Sequence, residues 1–145
     1  MKRIFSVLCL CFLLSLLMPE TVFAASNVAR DTSNVDWNPV MNAIIQVESQ
    51  GRQFAKNGNS CGALQITPLL VRECNSILKR RKSKKKFKLS DRFNISKSKE
   101  MFLIIQSFYN PTNSIEIAIR TWNGGVHYSL ARTQRYFEKV MNYIK

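Results

Sequence analysis

The fold of this chain is organised by residues 38–49, NPVMNAIIQVES. Three apolar side chains and one acid recur there at the i, i+3, i+4, i+7 spacing of a single helical face; they are Met41, Ile44, Ile45 and Glu48. Asn38 suits the N-cap and Pro39 the first turn, and Gly51 supplies a stop. The stretch therefore predicts an amphipathic helix whose apolar face ends in a carboxylate.

Apolar stripes with the same helical spacing follow this helix along the chain. They comprise Met101, Ile104, Ile105 and Phe108, then Ile115, Ala118, Ile119 and Trp122, and finally Phe137, Val140, Met141 and Ile144. Pro68 opens one further short helix, which we expect to continue to about Leu78. The alternation typical of strands is weak, with room for one β-turn or hairpin at residues 55–66. We predict a mainly α domain with at most that small β element.

Composition sets the class of protein. The chain has 145 residues with 46% apolar side chains and nine Phe, which fits one compact domain and excludes intrinsic disorder. It carries 22 Lys and Arg against 9 Asp and Glu, so its formal charge of +13 predicts an acidic partner. One His and few Cys exclude an ordinary zinc or haem site, and we expect neither metal nor cofactor.

Residues 1–24 have the pattern of a signal peptide. Lys2 and Arg3 precede a 15-residue apolar run, and Ala24 supplies a small residue at the usual cleavage position. A membrane anchor is the alternative, but the run is shorter than the roughly 20 residues of a span. We predict export to the periplasm or the extracellular space, with membrane contact only through this leader. Residues 25–37 are then a loose polar arm, and the domain follows from residue 38 to residue 145.

Cys61 and Cys74 are the cysteines that remain once the leader is removed. An even pair in an exported domain is typical of a disulfide. This disulfide would close a loop of 14 residues, and it would stabilise the fold by about 3 kcal/mol on the chain-entropy model. Two free buried thiols are the alternative, and no motif pairs either cysteine with His127 as a catalytic nucleophile.

Glu48 is an acid on a helical face that otherwise builds the core. Burial at that position and the negative end of the helix dipole both disfavour its anion, so both should raise its pKa. A carboxylic acid that stays protonated near neutral pH can act as a general acid. The alternative is a boundary residue that is half in solvent and has no catalytic role.

Four short motifs occur in a fixed order along the chain. They are Glu48-Ser49, then GALQITP at residues 62–68, then WNGG at residues 122–125, then Thr133-Gln134-Arg135-Tyr136. In order and spacing they resemble the soluble lytic transglycosylase family of the lysozyme-like superfamily, over roughly residues 40–141. The chain departs from the family pattern where Ala63-Leu64 replaces Leu-Met, Trp122 replaces Tyr and Arg132 replaces an acid.

This resemblance implies a lysozyme-like α domain that cuts the β-1,4 bond between N-acetylmuramic acid and N-acetylglucosamine in peptidoglycan. One glutamate, here Glu48, would protonate the glycosidic oxygen and then take the proton of the muramic C6 hydroxyl, which closes a 1,6-anhydro ring. A second protein carboxylate is not required, since the substrate acetamide can stabilise the oxocarbenium-like state. A hydrolase of the same fold and a non-catalytic wall-binding or secretion-apparatus module are the alternatives.

The resemblance also implies supporting residues for substrate binding. Ser49 and Gln65 would line the cleft and orient the acid or a sugar; for both, the alternative is simple capping or turn bonding. Trp122 and Asn123 would supply a stacking face and an amide for an N-acetyl sugar, and Tyr136 would be the cleft tyrosine. Core packing is the alternative for the two aromatic residues.

A few further positions have mainly structural interpretations. Gly62 belongs to the same predicted substrate-binding set, and we expect it where two backbones approach closely. Gly124 and Gly125 are typical of a helix end. Glu116 and Arg120 lie four residues apart, so they form an i, i+4 ion pair worth a few tenths of a kcal/mol.

Residues 79–88 hold eight Lys or Arg and no acid, and the family does not explain this segment. It predicts either a solvated, mobile loop or adhesion to an anionic envelope polymer such as the cell wall or lipopolysaccharide. An exported protein without an interleaved aromatic platform does not suit nucleic acid. The resemblance implies peptidoglycan glycan strands as the partner, and we expect a monomer.

Overall fold

The computed structural model describes residues 35–144 and is mainly helical, as predicted. The elements in chain order are helix α1 (Asn38–Ser49), the hairpin strands β1 (Lys56–Asn57) and β2 (Ser60–Cys61), helix α2 (Pro68–Arg80), a 3-10 helix (Leu89–Phe93), and helices α3 (Ile95–Tyr109), α4 (Ile115–Gly124) and α5 (Leu130–Met141). Between residues 35 and 144 no helix is long and apolar enough to cross a membrane. The predicted signal peptide and residues 25–34 of the predicted arm lie outside the described residues.

Helix α1 contributes a continuous apolar face to the core. Val40 and Ile44 are almost completely buried, and Phe102 of α3 and Ile119 of α4 are buried in the same cluster. Burial of each such side chain is worth roughly 1.5–3 kcal/mol. Helix α5 packs against both α1 and α4, so the C-terminal part of the chain meets the helix that carries Glu48.

The core begins earlier than the predicted domain boundary. Trp37, which we assigned to the loose arm, is only 9% exposed. Its ring packs edge-on against that of Phe102, with the ring centroids 5.8 Å apart. Trp37 is also the N-cap residue of α1, so the prediction of Asn38 as the cap was wrong. The Asp36 carboxylate instead accepts a hydrogen bond from the Asn38 backbone N–H at 2.9 Å. The large apolar area of the indole explains its burial within an otherwise polar stretch.

Helix boundaries follow the local chemistry of their end residues. Helix α2 begins at Pro68, as predicted, and the Thr67 hydroxyl before it accepts a bond from the Leu70 N–H. Helix α1 stops where Gln50 and Gly51 both take a positive φ. Side-chain oxygens cap the remaining three α-helices in the same way, namely Asn94 for α3, Ser114 for α4 and Ser129 for α5. Gly125, with a φ of +75°, ends α4 as predicted.

Gly62 lies where the hairpin meets the 3-10 helix. Its φ is +79°, and a Cβ placed on it would lie 1.8 Å from the Arg92 carbonyl oxygen, which confirms the predicted close approach of two backbones. The Arg92 guanidinium donates to the carbonyl oxygens of Asn59 at 2.9 Å and Ile66 at 3.3 Å. The 3-10 helix itself was not predicted, because its residues directly follow the cationic segment and have no apolar stripe.

The predicted disulfide is wrong, since Cys61 and Cys74 are both free and buried. Cys74 faces α3, where its thiol donates to the Met101 carbonyl oxygen at 3.5 Å, whereas Cys61 belongs to the hairpin. Burial, and after it the charge of Glu73, raise the pKa of the Cys74 thiol to about 12. Each cysteine therefore behaves as a small apolar core residue.

Candidate functional site

Glu48 lies in the last turn of α1 at the edge of the core. Burial raises the pKa of its carboxyl above the ordinary value, and a hydrogen bond from Tyr136 acts in the opposite direction. The Tyr136 hydroxyl of α5 donates to Glu48 Oε1 at 2.7 Å, so the two helices meet at this acid. Burial raises the pKa of Tyr136, and the charge of Glu48 and the hydrogen bond to Glu48 raise it further. The phenol therefore stays a proton donor to the carboxylate.

A polar cleft of about 220 Å³ opens in front of Glu48. It brings together four of the predicted site residues, namely Glu48, Gln65, Trp122 and Asn123, and adds Asn57, Ser60, Thr67 and Leu70. We call this the neutral cleft, because Glu48 is the only ionisable side chain among these eight. The four added residues were missed, although the Asn/Gly/Ser content of residues 57–60 already indicated a turn beside the GALQITP motif.

Gln65 shapes the neutral cleft from the segment after the hairpin. Its backbone has a φ of +50°, and its side-chain amide donates to the carbonyl oxygens of Gly62 at 2.9 Å and Ala55 at 3.3 Å. The side chain therefore both lines the cleft and holds its own loop in place. The two interpretations offered for Gln65, cleft residue and turn bonding, describe the same geometry.

Trp122 likewise has two roles. Its indole N–H donates to the Leu64 carbonyl oxygen at 3.3 Å, and its ring packs against Phe102 with centroids 5.2 Å apart. The side chain is half-buried, so one part belongs to the core and another lines the neutral cleft beside the exposed Asn123. A core contact on one face fixes the orientation of the aromatic surface that the cleft presents.

Ser49 and Gly62 support the neutral cleft without lining it. Ser49 is buried, and its hydroxyl donates to the Ala63 carbonyl oxygen at 2.8 Å, with the Ile45 carbonyl oxygen 3.1 Å away. Ser49 thus ties the end of α1 to the GALQITP segment, and Gly62, the first residue of that segment, packs against the Arg92 backbone. Both residues position the acid and the cleft wall.

A second groove, of about 470 Å³, lies on the other side of Glu48 along α5. Glu48 and Asn123 line both depressions. The remaining lining residues of this α5 groove are Val47, Arg132, Arg135, Tyr136 and Lys139. The acid is therefore flanked by an uncharged surface on one side and by three cations on the other.

Arg120 holds α5 in the position that presents Tyr136. Its guanidinium is 4% exposed and donates to Glu116 at 2.8 Å, which confirms the predicted ion pair. It also donates to the Thr133 hydroxyl at 3.0 Å and to the Gln134 amide oxygen at 2.7 Å. Two residues of the C-terminal motif thus serve to dock α5 on α4. The sequence indicated only the pair with Glu116, because the other partners belong to a different helix.

The acids other than Glu48 in residues 35–144 are occupied away from the neutral cleft. Their partners, acid first, are Asp36 with Asn38, Glu73 with Tyr109, Asp91 with Lys88 and Lys97, Glu100 with Lys85, Glu116 with Arg120, and Glu138 with Gln134. Across the described residues, no group of three or more His, Cys, Asp or Glu could hold a metal ion. The chemistry of the cleft therefore depends on one carboxyl group.

The cationic segment forms a separate concave surface of about 650 Å³, which we call the cationic cavity. Its lining residues are Arg72, Asn75, Ser76, Lys79, Lys82, Ser83, Lys84, Lys85 and Lys86, and it shares none of them with the neutral cleft or the α5 groove. The loop is anchored, because Phe87 is buried and its backbone N–H and carbonyl both bond the Asn75 side chain. The segment therefore has a defined shape in addition to its charge.

Comparisons with family models, with curated proteins and with solved structures give no match. The functional conclusion consequently depends on the motifs in the sequence and on the geometry around Glu48.

Proposed function

We propose that this protein is a lytic transglycosylase with a lysozyme-like fold, which cleaves the β-1,4 bond between N-acetylmuramic acid and N-acetylglucosamine in peptidoglycan. One observation carries the proposal. Glu48, an acid whose pKa is raised by burial, faces a polar cleft in which it is the only acid among the lining residues. A raised pKa favours the protonated carboxyl group that a general acid needs.

In the first step the Glu48 carboxyl transfers its proton to the glycosidic oxygen. The bond between the muramic C1 and that oxygen breaks, and the leaving sugar departs with a new hydroxyl group. The Tyr136 hydroxyl, 2.7 Å from Glu48 Oε1, stabilises the carboxylate that forms, since hydrogen bonds to ionised acceptors are strong. Trp122, Gln65 and Asn123 line the same cleft as the acid, and in this proposal they hold an N-acetyl sugar beside it.

In the second step the Glu48 carboxylate takes the proton from the muramic C6 hydroxyl. The O6 atom then bonds to C1 and closes the 1,6-anhydro ring, so Glu48 ends protonated and ready for the next turnover. Glycosidases that use two carboxylates place them about 5–9.5 Å apart across the scissile bond. The neutral cleft and the α5 groove supply no second acid, and this favours the single-acid route over hydrolysis.

Product analysis separates this proposal from its alternatives. We expect purified peptidoglycan incubated with the protein to release muropeptides with 1,6-anhydro ends, detected by mass spectrometry. Reducing ends would instead support a lysozyme-like hydrolase, and no release would support a non-catalytic wall-binding module. Glu48→Gln should lower the release at least about a thousandfold, as expected when a general acid is lost. An active Gln variant with unchanged products would refute the role of Glu48.

The cationic cavity supports a second proposal about location. Peptidoglycan lies outside the cytoplasm, so the proposed activity agrees with export through the predicted signal peptide. We propose that the cavity binds an anionic envelope polymer and holds the exported enzyme near its substrate. Its lining includes six Lys or Arg side chains within one anchored concave surface, and this density favours a polyanion.

Wall sedimentation at varied salt tests this tether. Lys84→Gln with Lys86→Gln should weaken binding to purified walls at least about fivefold at low salt, because exposed charges are screened as salt rises. Lys56→Gln with Lys99→Gln removes two charges elsewhere and should leave binding unchanged. Cleavage of short soluble glycans measures the Glu48 site separately. Unchanged, salt-independent wall binding by the first variant would refute the tether.

A further inference from the structure

The two sides of Glu48 differ in charge, and this difference restricts the substrate. We infer that the α5 groove is a carboxylate-binding subsite, so that of the two sugars flanking the scissile bond one carries a carboxylate and the other is uncharged. The inference rests on the proposed function for the identity of that bond. Its physical basis is independent, because it comes from the cations of α5.

The cations of the α5 groove lie on one face of that helix. Arg132, Arg135 and Lys139, together with Tyr136, occupy positions separated by three, four and seven residues, which share a helical face. The three cations are exposed. The ion pairs found within residues 35–144 involve other residues, namely Lys85 with Glu100, Lys97 with Asp91, and Arg120 with Glu116. The cations of the groove are therefore available to an external anion.

The neutral cleft has the opposite character. Its other lining residues carry amide, hydroxyl or apolar side chains, namely Asn57, Gln65 and Asn123, then Ser60 and Thr67, and finally Trp122 and Leu70. Amides and hydroxyls match the hydroxyl and acetamide groups of an uncharged N-acetyl sugar, and an indole face suits the apolar face of a pyranose ring. A carboxylate would find no cation among these lining residues.

The two surfaces are joined at the acid. Glu48 and Asn123 line both the neutral cleft and the α5 groove, so a glycan that occupies both must pass the carboxyl group. The bond next to Glu48 is the one that can accept its proton. The change from uncharged to cationic surroundings therefore coincides with the position of cleavage.

The geometry points to carboxylates of the muramic residue as the occupant of the α5 groove. In peptidoglycan these are the carboxylates of the stem peptide, or the lactyl carboxylate where the stem has been removed. Two guanidinium groups suit such a ligand, because arginine binds carboxylates through paired N–H donors. The N-acetylglucosamine unit has no carboxylate and fits the neutral cleft.

Binding to three tetrasaccharides tests the subsite, with Glu48→Gln as the background so that no ligand is consumed. The ligands are a peptidoglycan tetrasaccharide with stems, the same glycan stripped to its lactyl carboxylates, and neutral chitotetraose. Adding Arg132→Gln and Arg135→Gln should weaken binding of a carboxylate-bearing ligand about tenfold and reduce its salt dependence. Chitotetraose binding should not change. A loss confined to the first ligand identifies the stem as the occupant, whereas a loss for both charged ligands identifies the lactyl group as sufficient.

A matched variant and turnover data make the result decisive. Lys56→Gln with Lys99→Gln removes the same charge from positions outside the α5 groove, the neutral cleft and the cationic segment, and should alter no ligand. Equal weakening of charged and neutral ligands, or no weakening at all, would overturn the subsite. If the wild-type protein cleaves no peptidoglycan while charge-selective binding persists, the proposed function fails and the subsite stands. If the wild-type protein releases anhydro products but binds charged and neutral ligands alike, the proposed function stands and the subsite fails.

Discussion

The neutral cleft and the α5 groove flank the same carboxyl group but are built in different ways. The neutral cleft is fixed by bonds from side chains to backbone carbonyls, from Gln65 to Gly62 and from Trp122 to Leu64. The α5 groove carries exposed cations on a helix that is docked through Arg120. Rigid walls suit the exact placement of a sugar for proton transfer. Exposed charges suit recognition, since they select a ligand without having to fix its geometry.

Gly62→Ala should damage the neutral cleft and produce the greatest loss of stability. A Cβ at this position would lie 1.8 Å from the Arg92 carbonyl oxygen, and the φ of +79° is strained for alanine. One of the two backbones must move, so we expect the free energy of unfolding to fall by about 3 kcal/mol or more. Chemical denaturation measures the loss.

Gly58→Ala is the matched control for this prediction. Gly58 also has a positive φ, of +56°, but a Cβ there meets nothing within 4 Å. We therefore expect only the conformational cost of about 1 kcal/mol. Under conditions where Gly62→Ala remains folded, chitotetraose binding should weaken while the salt dependence of carboxylate binding persists. Equal stability losses for the two glycines would contradict the close approach.

Tyr136→Phe, a change in the lining of the α5 groove, should alter both the pKa and the orientation of Glu48. The hydroxyl bond lowers the pKa of Glu48 against the larger effect of burial. Its removal should raise that pKa further, so the basic limb of the pH–rate profile moves to higher pH. We also expect kcat to fall about tenfold, because the carboxylate loses a charge-assisted bond that orients it.

The exposed Tyr143 provides the control for the loss of a phenol hydroxyl. Tyr143→Phe removes the same group at a residue that is 56% exposed and should leave the profile unchanged. Release of anhydro-muropeptides across a pH series measures both variants. A basic limb that moves to lower pH in Tyr136→Phe would contradict the orientation proposed for the bond.

The helical parts of the site could be predicted because their signals are local. The stripe of Met41, Ile44 and Ile45 located Glu48 on a buried face, and the end of α4 at Gly125 followed from the glycine pair. The bond between Glu48 and Tyr136 joins residues 88 positions apart. Periodicity carries no information about such a contact, and only the order of motifs placed both residues in one site.

Other features escaped prediction for physical reasons that differ from one to the next. Removal of the predicted leader leaves an even number of cysteines, but an even number does not show that Cys74 faces α3 while Cys61 lies in the hairpin. The positive charge of residues 79–88 could be predicted to act together because these cations are consecutive or nearly so in the sequence. The cations of α5 are spaced at three and four residues, and only the helix brings them to one surface.

Glu48→Gln should also change how the free energy of unfolding depends on pH. This change should be smaller than the effects predicted above. Because burial raises the pKa of Glu48 in the folded state, the folded protein binds more protons than the unfolded chain between the two pKa values. The wild-type free energy of unfolding therefore falls as pH rises from the unfolded pKa to the folded pKa, and this loss is complete above the folded value.

The Gln variant lacks this titration and keeps an oxygen that can accept the Tyr136 hydroxyl. Relative to the wild type it should gain on the order of 1 kcal/mol at pH values above the folded pKa, and the gain should shrink as pH falls toward the unfolded pKa. Denaturation curves of both proteins across pH measure the difference. A gain that grows on acidification would mean that the Glu48 anion is stabilised in the fold, and the neutral cleft would then hold a carboxylate unsuited to donate a proton.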